Sequence, residues 1–467
     1  MKFRTRELVA GLSDCRVLGE TDERVYKRIS IDSRTTKPGD LFLALKGDLH
    51  DGHDFTWEAR RRGAIGFVVS SPPDTTGGGI QVFEVPDTLI ALHELAAVCR
   101  AGFKGQVVGI TGSNGKTTTK EMVANVLSTK YHVHRNPGNF NNQIGLPLSI
   151  LGLKARTEWM VLEMGSNFPG EISTLSRIAE PQWGIITNVS EVHLEGLGNL
   201  VGVLKEKASI LDGLQDGGTL IVNGDDPSLT SYIRNLGMKY KTFGIRQGND
   251  VHPEDYMVHG DGKTSFNLGD GLCIDLPMIG YHGLQNAMAA CALGLEAGLR
   301  PELIKQGLER PLNQHFRMEV SNEFNITFIN DCYNANPRSM YLAAEALSLM
   351  EGEGRKILVL GDMLELGEVS ARLHKELGKR LSSIDIDLVV TVGGLGAVVG
   401  RAMRREDLRR GRRREVVETM EYPDACAGIC SFLRAGDVIL FKASRRMKME
   451  DLVGMVRSEL RKRGSMN

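Results

Sequence analysis

Between Gln106 and Asp225 four short apolar runs recur, QVVGIT, WMVLEMG, WGIITNV and TLIVNGD, and the stretches between them carry helical spacing. Strands that are apolar on both faces and alternate with helices form a parallel sheet with helices packed on either side. A second series of the same kind starts near Asn325 with ITFIND, KILVLGD, DLVVTVGG and DVILFK. A third precedes both, with DLFLAL, GAIGFVV and IQVFEV separated by polar turns that include the loop from Ser70 to Gly79, and a helix is expected over Leu89 to Arg100. At 467 residues the chain exceeds the roughly 100–200 of one ordinary domain. The sequence therefore reads as α/β in three domains: a small N-terminal α/β domain over 1–104, a central parallel-sheet domain over 105–312 and a C-terminal Rossmann-like α/β domain over 313–467. The proline-containing, polar segment from Pro301 to Gln314 is the second joint.

Composition narrows the function classes. With 41% hydrophobic and 25% charged residues and a net charge of −1, the chain has a soluble, globular balance that calls for neither nucleic acid nor a membrane surface. No apolar run approaches the ~20 residues that span a bilayer, and the opening MKFRTRELVAGLSDC lacks the apolar core of a signal peptide. A cytoplasmic monomer is the expectation. The seven cysteines show no CxxC spacing, so they make no disulfide framework or zinc site, and Cys426 and Cys430 read as core thiols on one helix face. The basic stretch RAMRREDLRRGRRRE, Arg401 to Glu415, lacks interleaved aromatics and reads as a solvated helix and loop. GGLGAVVG, Gly393 to Gly400, has Val399 where a dinucleotide fingerprint needs its third glycine, and reads as a tight strand-to-helix turn.

The chemistry concentrates in GITGSNGKTTTKE, Gly109 to Glu121. A strand that ends in a glycine-rich loop and runs into a helix offers several backbone N–H groups and a positive helix end to one anion. The spacing is a contracted GxxGKT built on Gly112 and Gly115, since Ile110 stands where the longer P-loop has its first glycine. Nucleotide binding follows, with Lys116 reaching the outer phosphates and the Thr117 hydroxyl offered to Mg²⁺. Glu163 ends one strand and His193 follows another, which places both at the carboxyl edge of the sheet beside the P-loop, where ligands bind in such folds. Taken singly, either is commonly a cap or a surface residue; together they suggest a Mg²⁺ site.

Lys207 lies within a stripe of Leu200, Leu204, Leu211 and Leu214 at −7, −3, +4 and +7, whereas Lys205 points elsewhere. Either its ammonium snorkels to an edge, or it is buried and driven toward the neutral amine. A neutral lysine can take up CO₂ as a carbamate, which is in effect a long-armed carboxylate for a second metal.

These residues resemble the Mur ligases, ATP-dependent enzymes that add amino acids to the peptide of the bacterial wall precursor. The resemblance covers nearly the whole chain. It rests on ISIDSRTTKPGDLFLALKGDLHDGHDF, then VGITGSNGKTTTKE, NPGNFNNQIGLPLSIL, LEMG, NVSEVHLEGLG and KEKASI, then NDCYNANPRSM, VLGDMLELGE and FKASRRMKME. YNANP with LGDMLELGE, and no DNPR, imply addition of D-alanyl-D-alanine to a UDP-N-acetylmuramoyl-tripeptide through an acyl phosphate, with ADP and phosphate released.

The resemblance also implies a site. Ser33, Arg34, Lys46, Asp51, Gly52 and His53 would hold the uridine diphosphate end of the substrate. Gly112, Ser113, Asn114, Gly115, Lys116, Thr117 and Thr118 would bind ATP, with Asn286 near the adenine and Arg317 and Asp331 closing over the phosphates and ribose. Two Mg²⁺ would lie among Thr117, Glu163, His193 and a carbamylated Lys207, with Lys116, His193 and Lys207 catalytic. Asn139 and Asn142 would face the muramoyl substrate, and Asn334, Asn336, Lys442, Ser444 and Arg445 would present the third domain's side of the cleft. Departures from the family pattern stand at His282–Gly283 (usually HN), Lys442–Ala443–Ser444 (usually KGS) and Lys207–Ala208–Ser209 (usually KGE). Another ligase of the same superfamily, such as a folylpolyglutamate synthetase or the diamino-acid-adding enzyme, and a binding protein that uses ATP as a switch are the rival readings. An acyl phosphate must be kept from water, so the third domain is expected to close over the second when ATP and the tripeptide are bound.

Overall fold

A computed structural model describes residues 2–47, 49–72, 79–269, 271–312 and 315–464. Residues 73–78 of the expected turn and residues 313–314 at the second joint lie outside the described residues.

The central sheet has six strands, all parallel, in the spatial order Tyr240–Phe243, Thr219–Asn223, Trp183–Ile186, Gln106–Thr111, Trp159–Glu163, Val133–Arg135. Its apolar runs divide by period two, because successive strand side chains point to opposite faces. Val108, Ile110, Val161, Ile185 and Ile221 pack with helices Lys116–Leu127 and His282–Glu296 on one face. Val107, Met160, Leu162, Ile186 and Val222 pack with helices Gly145–Leu151, Glu171–Ala179 and Leu200–Ala208 on the other. Burying each such side chain contributes roughly 1.5–3 kcal/mol, which is why the interior positions of the four central strands are apolar or glycine. The chain leaves Gln106–Thr111 toward one edge of the sheet and Trp183–Ile186 toward the other, so a crevice opens above these two neighbours.

The first sheet, in the order Arg16–Gly19, Gln81–Glu84, Gly66–Val69, Leu41–Leu43, Ile29–Ser30, is parallel except for its first strand. The helix Thr88–Gly102 starts on Asp87, whose carboxylate accepts the N–H groups of Leu89 and Ile90. It then joins the first sheet's core to the central domain: Arg100 donates to the carbonyls of Ala179 and Glu180, and Cys99 to that of Ile150. The third sheet runs Glu319–Glu323, Ile326–Asn330, Val438–Lys442, Lys356–Leu360, Leu388–Val392, Glu415–Thr419, parallel after an antiparallel first pair.

Several expectations need correction. A three-stranded antiparallel sheet, Tyr256–Val258, Lys263–Asn267 and Cys273–Ile279, was not foreseen, and neither was the edge strand Glu319–Glu323, whose residues are mostly polar. The helix that carries Lys207 ends at Ala208 and tightens into a 3₁₀ turn over Ser209–Gly213. The leucine stripe is therefore not one helical face: Leu200 is exposed, and Leu211 and Leu214 reach the core from beyond the helix. The basic stretch is only partly solvated. Arg412 and Arg414 turn inward to cap the carbonyls of Ser382 and Ile384 past helix Ser370–Leu381, and Arg414 pairs with buried Asp407. Cys426 and Cys430 are buried free thiols, and Gly393 makes the turn into helix Gly394–Arg409 with φ +94°.

Candidate active site

The P-loop strand delivers Gly112 and Gly115 at positive φ, +141° and +79°. A Cβ on Gly112 would strike the Thr187 side chain, and one on Gly115 the Asn286 amide, so only glycine fits either place. Gly115 begins helix Lys116–Leu127 without any side-chain cap, and the first-turn N–H groups stay available to an anion. The loop itself is pinned: Ser113 N–H donates to the Asn188 carbonyl, and Asn114 N–H to the Asn188 side-chain oxygen. Lys116 Nζ reaches back to the carbonyls of Gly112 and Ser113 at 2.8 and 3.2 Å. Burial pushes its pKa down to about 8 against the pull of Glu163.

Ser113 to Thr118, though not Gly112, line one cavity of about 460 Å³ between the central and third domains. Thr117 Oγ1 donates to Glu163 Oε1 at 3.1 Å, and Asn141 Nδ2 donates to the same oxygen at 2.7 Å. The other oxygen, Glu163 Oε2, is buried without a hydrogen-bond partner and lies 3.8 Å from Lys120 Nζ. A buried carboxylate oxygen left in this state is suited to a cation. Lys120, wholly buried, donates to the carbonyls of Asn136 and Gly138 and so anchors the loop that carries Asn139, Asn141 and Asn142.

Lys207 is fully buried behind the cavity wall, and its Nζ donates to Ser166 Oγ at 2.7 Å. Burial first, then the neighbouring Lys116 charge, push its pKa down to about 7. The snorkelling alternative is thereby overturned. His193 lines the cavity, with Nδ1 2.8 Å from Glu365 Oε2 of the third domain, and this bond holds the Glu365 carboxyl below its usual range. No group of three or more His, Cys, Asp or Glu side chains converges as a ready metal cluster among the described residues.

The third domain contributes from the carboxyl edge of its own sheet. Arg317, stacked on Tyr333, donates to Thr117 Oγ1 at 3.0 Å, and Asn336 Nδ2 donates to Asn114 Oδ1 at 2.6 Å. Asp331 pairs with Lys442 Nζ at 2.7 Å, and that lysine also donates to the Asn334 carbonyl. Asn286, Asn139, Asn142, Asn334 and Thr118 all line the cavity. Ser444 and Arg445 do not: Ser444 is buried and accepts the Leu364 N–H, while Arg445 pairs with Glu450.

The first-domain candidates form a separate group at the carboxyl ends of their own strands, outside this cavity's lining. Asp51 accepts the backbone N–H of His53 and, at 2.6 Å, the Nδ1 of its ring, which leaves Nε2 to accept the Ser70 N–H. Lys46 pairs with Asp51 in an isolated antiparallel bridge, beside which the Gly52 N–H donates to the Leu45 carbonyl; Ser33 donates to Glu58, and Arg34 is exposed beside Asp32. Sequence reasoning missed Asn141, Ser166, Lys120 and Glu365. The first stands inside the quoted GNFNN and the last inside LGDMLELGE, but neither motif by itself says which side chain points to the site.

Three α/β units, with a P-loop at the junction of the second and third, define an amide ligase of one family, and the chain belongs to the Mur ligase family. It matches the Mur ligase family catalytic domain over residues 25–100, the Mur ligase middle domain over 110–294 and the Mur ligase glutamate ligase domain over 316–445. It is 39% identical to the UDP-N-acetylmuramoyl-tripeptide–D-alanyl-D-alanine ligase of Bacillus subtilis over 92% of this chain and 93% of that one. Among solved structures it is similar to MurF from Acinetobacter baumannii, with a TM-score of 0.89 and 30% identity over 98% of this chain and 99% of that one. MurF ligase from Thermotoga maritima in complex with ADP matches with a TM-score of 0.82 and 30% identity over 93% and 98% of the two chains.

Proposed function

We infer that this chain joins D-alanyl-D-alanine to UDP-N-acetylmuramoyl-tripeptide at the expense of ATP, in the building of the bacterial wall precursor. The observation that carries the reading is the P-loop threonine, shared between Glu163 of its own domain and Arg317 of the next, which makes a phosphate site that two domains complete together.

A carboxylate acylates an amine only after its oxygen becomes a leaving group. The terminal carboxylate of the tripeptide attacks the γ-phosphorus and ADP departs; the dipeptide amine then adds to the acyl phosphate, and the tetrahedral intermediate expels phosphate. Each stage gathers anions at one place. Lys116, the open N–H groups after Gly115 and Arg317 supply fixed positive charge where that negative charge grows. Lys120 and the asparagine loop present the acceptor, and the third domain keeps water out. Asn286 and Asp331 serve the nucleoside, and Asn334, Asn336 and Lys442 the incoming dipeptide.

Glu163, with its unpartnered oxygen, and Thr117 fit one Mg²⁺. His193 and Lys207, the latter as a carbamate, would hold a second, the buried amine bonding CO₂ with loss of a proton; its depressed pKa favours this near neutral pH. Divalent cations there would neutralise phosphate charge as it transfers. The first-domain group at Ser33, Arg34, Lys46 and Asp51 to His53 holds the uridine diphosphate end. The divisions near residues 104 and 312, a cytoplasmic location and a monomeric state complete the reading, and no helix among the described residues is long and apolar enough to cross a membrane.

Purified protein given ATP, UDP-muramoyl-tripeptide and D-alanyl-D-alanine should release ADP and phosphate in step with the dipeptide-extended product. AMP release, or ADP release without that product, would sink the assignment.

A further inference from the structure

The loop after strand Lys356–Leu360 is mounted rigidly on the third domain. The Asp362 carboxylate accepts the Gly396 N–H at 2.6 Å, His374 Nε2 accepts the Met363 N–H at 3.0 Å, and Ser444 Oγ accepts the Leu364 N–H at 2.8 Å. The next residue, Glu365, adopts φ +66°, which aims its carboxylate across the domain boundary, where it meets His193 Nδ1 at 2.8 Å. His193 is itself at φ +50°. Two side chains other than glycine in the left-handed region, facing each other across an interface, are uncommon. The contact is backed by the Glu195 N–H, which approaches the Glu365 carbonyl at 3.4 Å, and by Gly367, packed against Glu195.

We propose that Glu365 is a positioning residue that couples domain closure to the active site: when the third domain seats, its carboxylate takes the Nδ1 proton of His193 into a hydrogen bond and fixes the ring with Nε2 as the free nitrogen. The inference rests on the ligase reading for its consequence and on geometry alone for its structure. A histidine that binds a metal through one nitrogen is ordinarily oriented by a carboxylate or carbonyl on the other. Here that partner comes from another domain, so the histidine is held in its working orientation only in the closed molecule. Asp362, Ser444 and His374 act behind Glu365 by fixing its loop.

The test uses the full chain and the variants Glu365→Ala and Glu365→Gln, with Mg²⁺ and a non-hydrolysable ATP analogue for the structural readouts. Long-range ¹⁵N–¹H NMR, with the His193 signals assigned by His193→Ala, reports the tautomer, and X-ray scattering reports closure. Expected are an Nδ1–H tautomer in the wild type that is lost in Glu365→Ala, unchanged scattering, and a kcat lowered about 10–100-fold with little change in KM for ATP. Glu365→Gln, whose side-chain oxygen still accepts the Nδ1 proton, should recover most of the rate and the tautomer. Equal kcat in all three proteins, or a Glu365→Ala defect that follows lost closure while the tautomer persists, would overturn the proposal. If the wild type makes no dipeptide-extended product, the ligase reading fails, and the tautomer comparison still decides whether Glu365 orients His193.

Discussion

Lys207 occupies a place where a packed helix would ordinarily carry an apolar side chain, and its cost is visible in its pKa, down to about 7. Between that value and the ordinary lysine range, the unfolded chain binds a proton that the folded chain does not. Stability therefore rises with pH through this window, and the penalty is fullest below pH 7, where the buried ammonium is charged. In CO₂-depleted buffer, Lys207→Met should raise unfolding stability by on the order of 3 kcal/mol at pH 7 and flatten the rise between pH 7 and 10, while abolishing ligase turnover. Denaturant titration at several pH values checks this; a variant no more stable than the wild type would contradict it. The sequence made this lysine's burial one of two open readings, and the leucines used to argue for it were partly the wrong ones, since Leu200 is exposed. Its partner Ser166 follows the strand by three residues, but it meets Lys207 only through the tertiary fold.

At the scale of elements, the P-loop helix does two tasks. Its open first turn faces the cavity, and one turn on, Lys120 holds the asparagine loop by the carbonyls of Asn136 and Gly138. Lys120 also stands 3.3 Å from Glu121 and 3.8 Å from Glu163. Lys120→Met should destabilise the chain by about 3–5 kcal/mol, because it leaves the unpartnered oxygen of buried Glu163 without its cation, while Glu121 keeps Arg135 at 3.1 Å. It should also raise KM for the muramoyl substrate more than KM for ATP, and equal changes in both would contradict the anchoring role. Elements whose cause is local were legible: the glycine turn, the strand that ends in Glu163 and the buried parallel runs all follow from spacing. Elements whose cause lies elsewhere in the chain were not. The polar strand Glu319–Glu323 exists because Ile326–Asn330 offers it an edge, and Arg414 is inward because helix Ser370–Leu381 ends there with free carbonyls.

On the scale of the molecule, the carboxyl edges of the second and third sheets meet over one cavity, an arrangement that would keep water from an acyl phosphate. Side chains reach across at Arg317 to Thr117, Asn336 to Asn114 and Glu365 to His193, and main-chain bonds from Glu195 to Glu365 and from Glu351 to Gly260 join them. Scattering from the ligand-free chain should be broader than this arrangement gives, and adding ATP analogue and tripeptide together should contract it; identical curves would count against closure as a ligand-driven step. Nothing in the sequence said which arrangement the domains adopt, because it depends on hydrogen bonds between residues about 170 to 220 positions apart.

The helix Thr88–Gly102, through Arg100 and Cys99, ties the first domain to the second with hydrogen bonds to main-chain carbonyls. The seam above the P-loop is bridged by side chains at three points, with the Glu195 N–H beside them on the Glu365 carbonyl. On the ligase reading, the first two domains would form an anvil that keeps the long nucleotide-linked substrate in register, and the third a hammer that lifts away. A product released from under the hammer would then leave without the anvil having to change its shape.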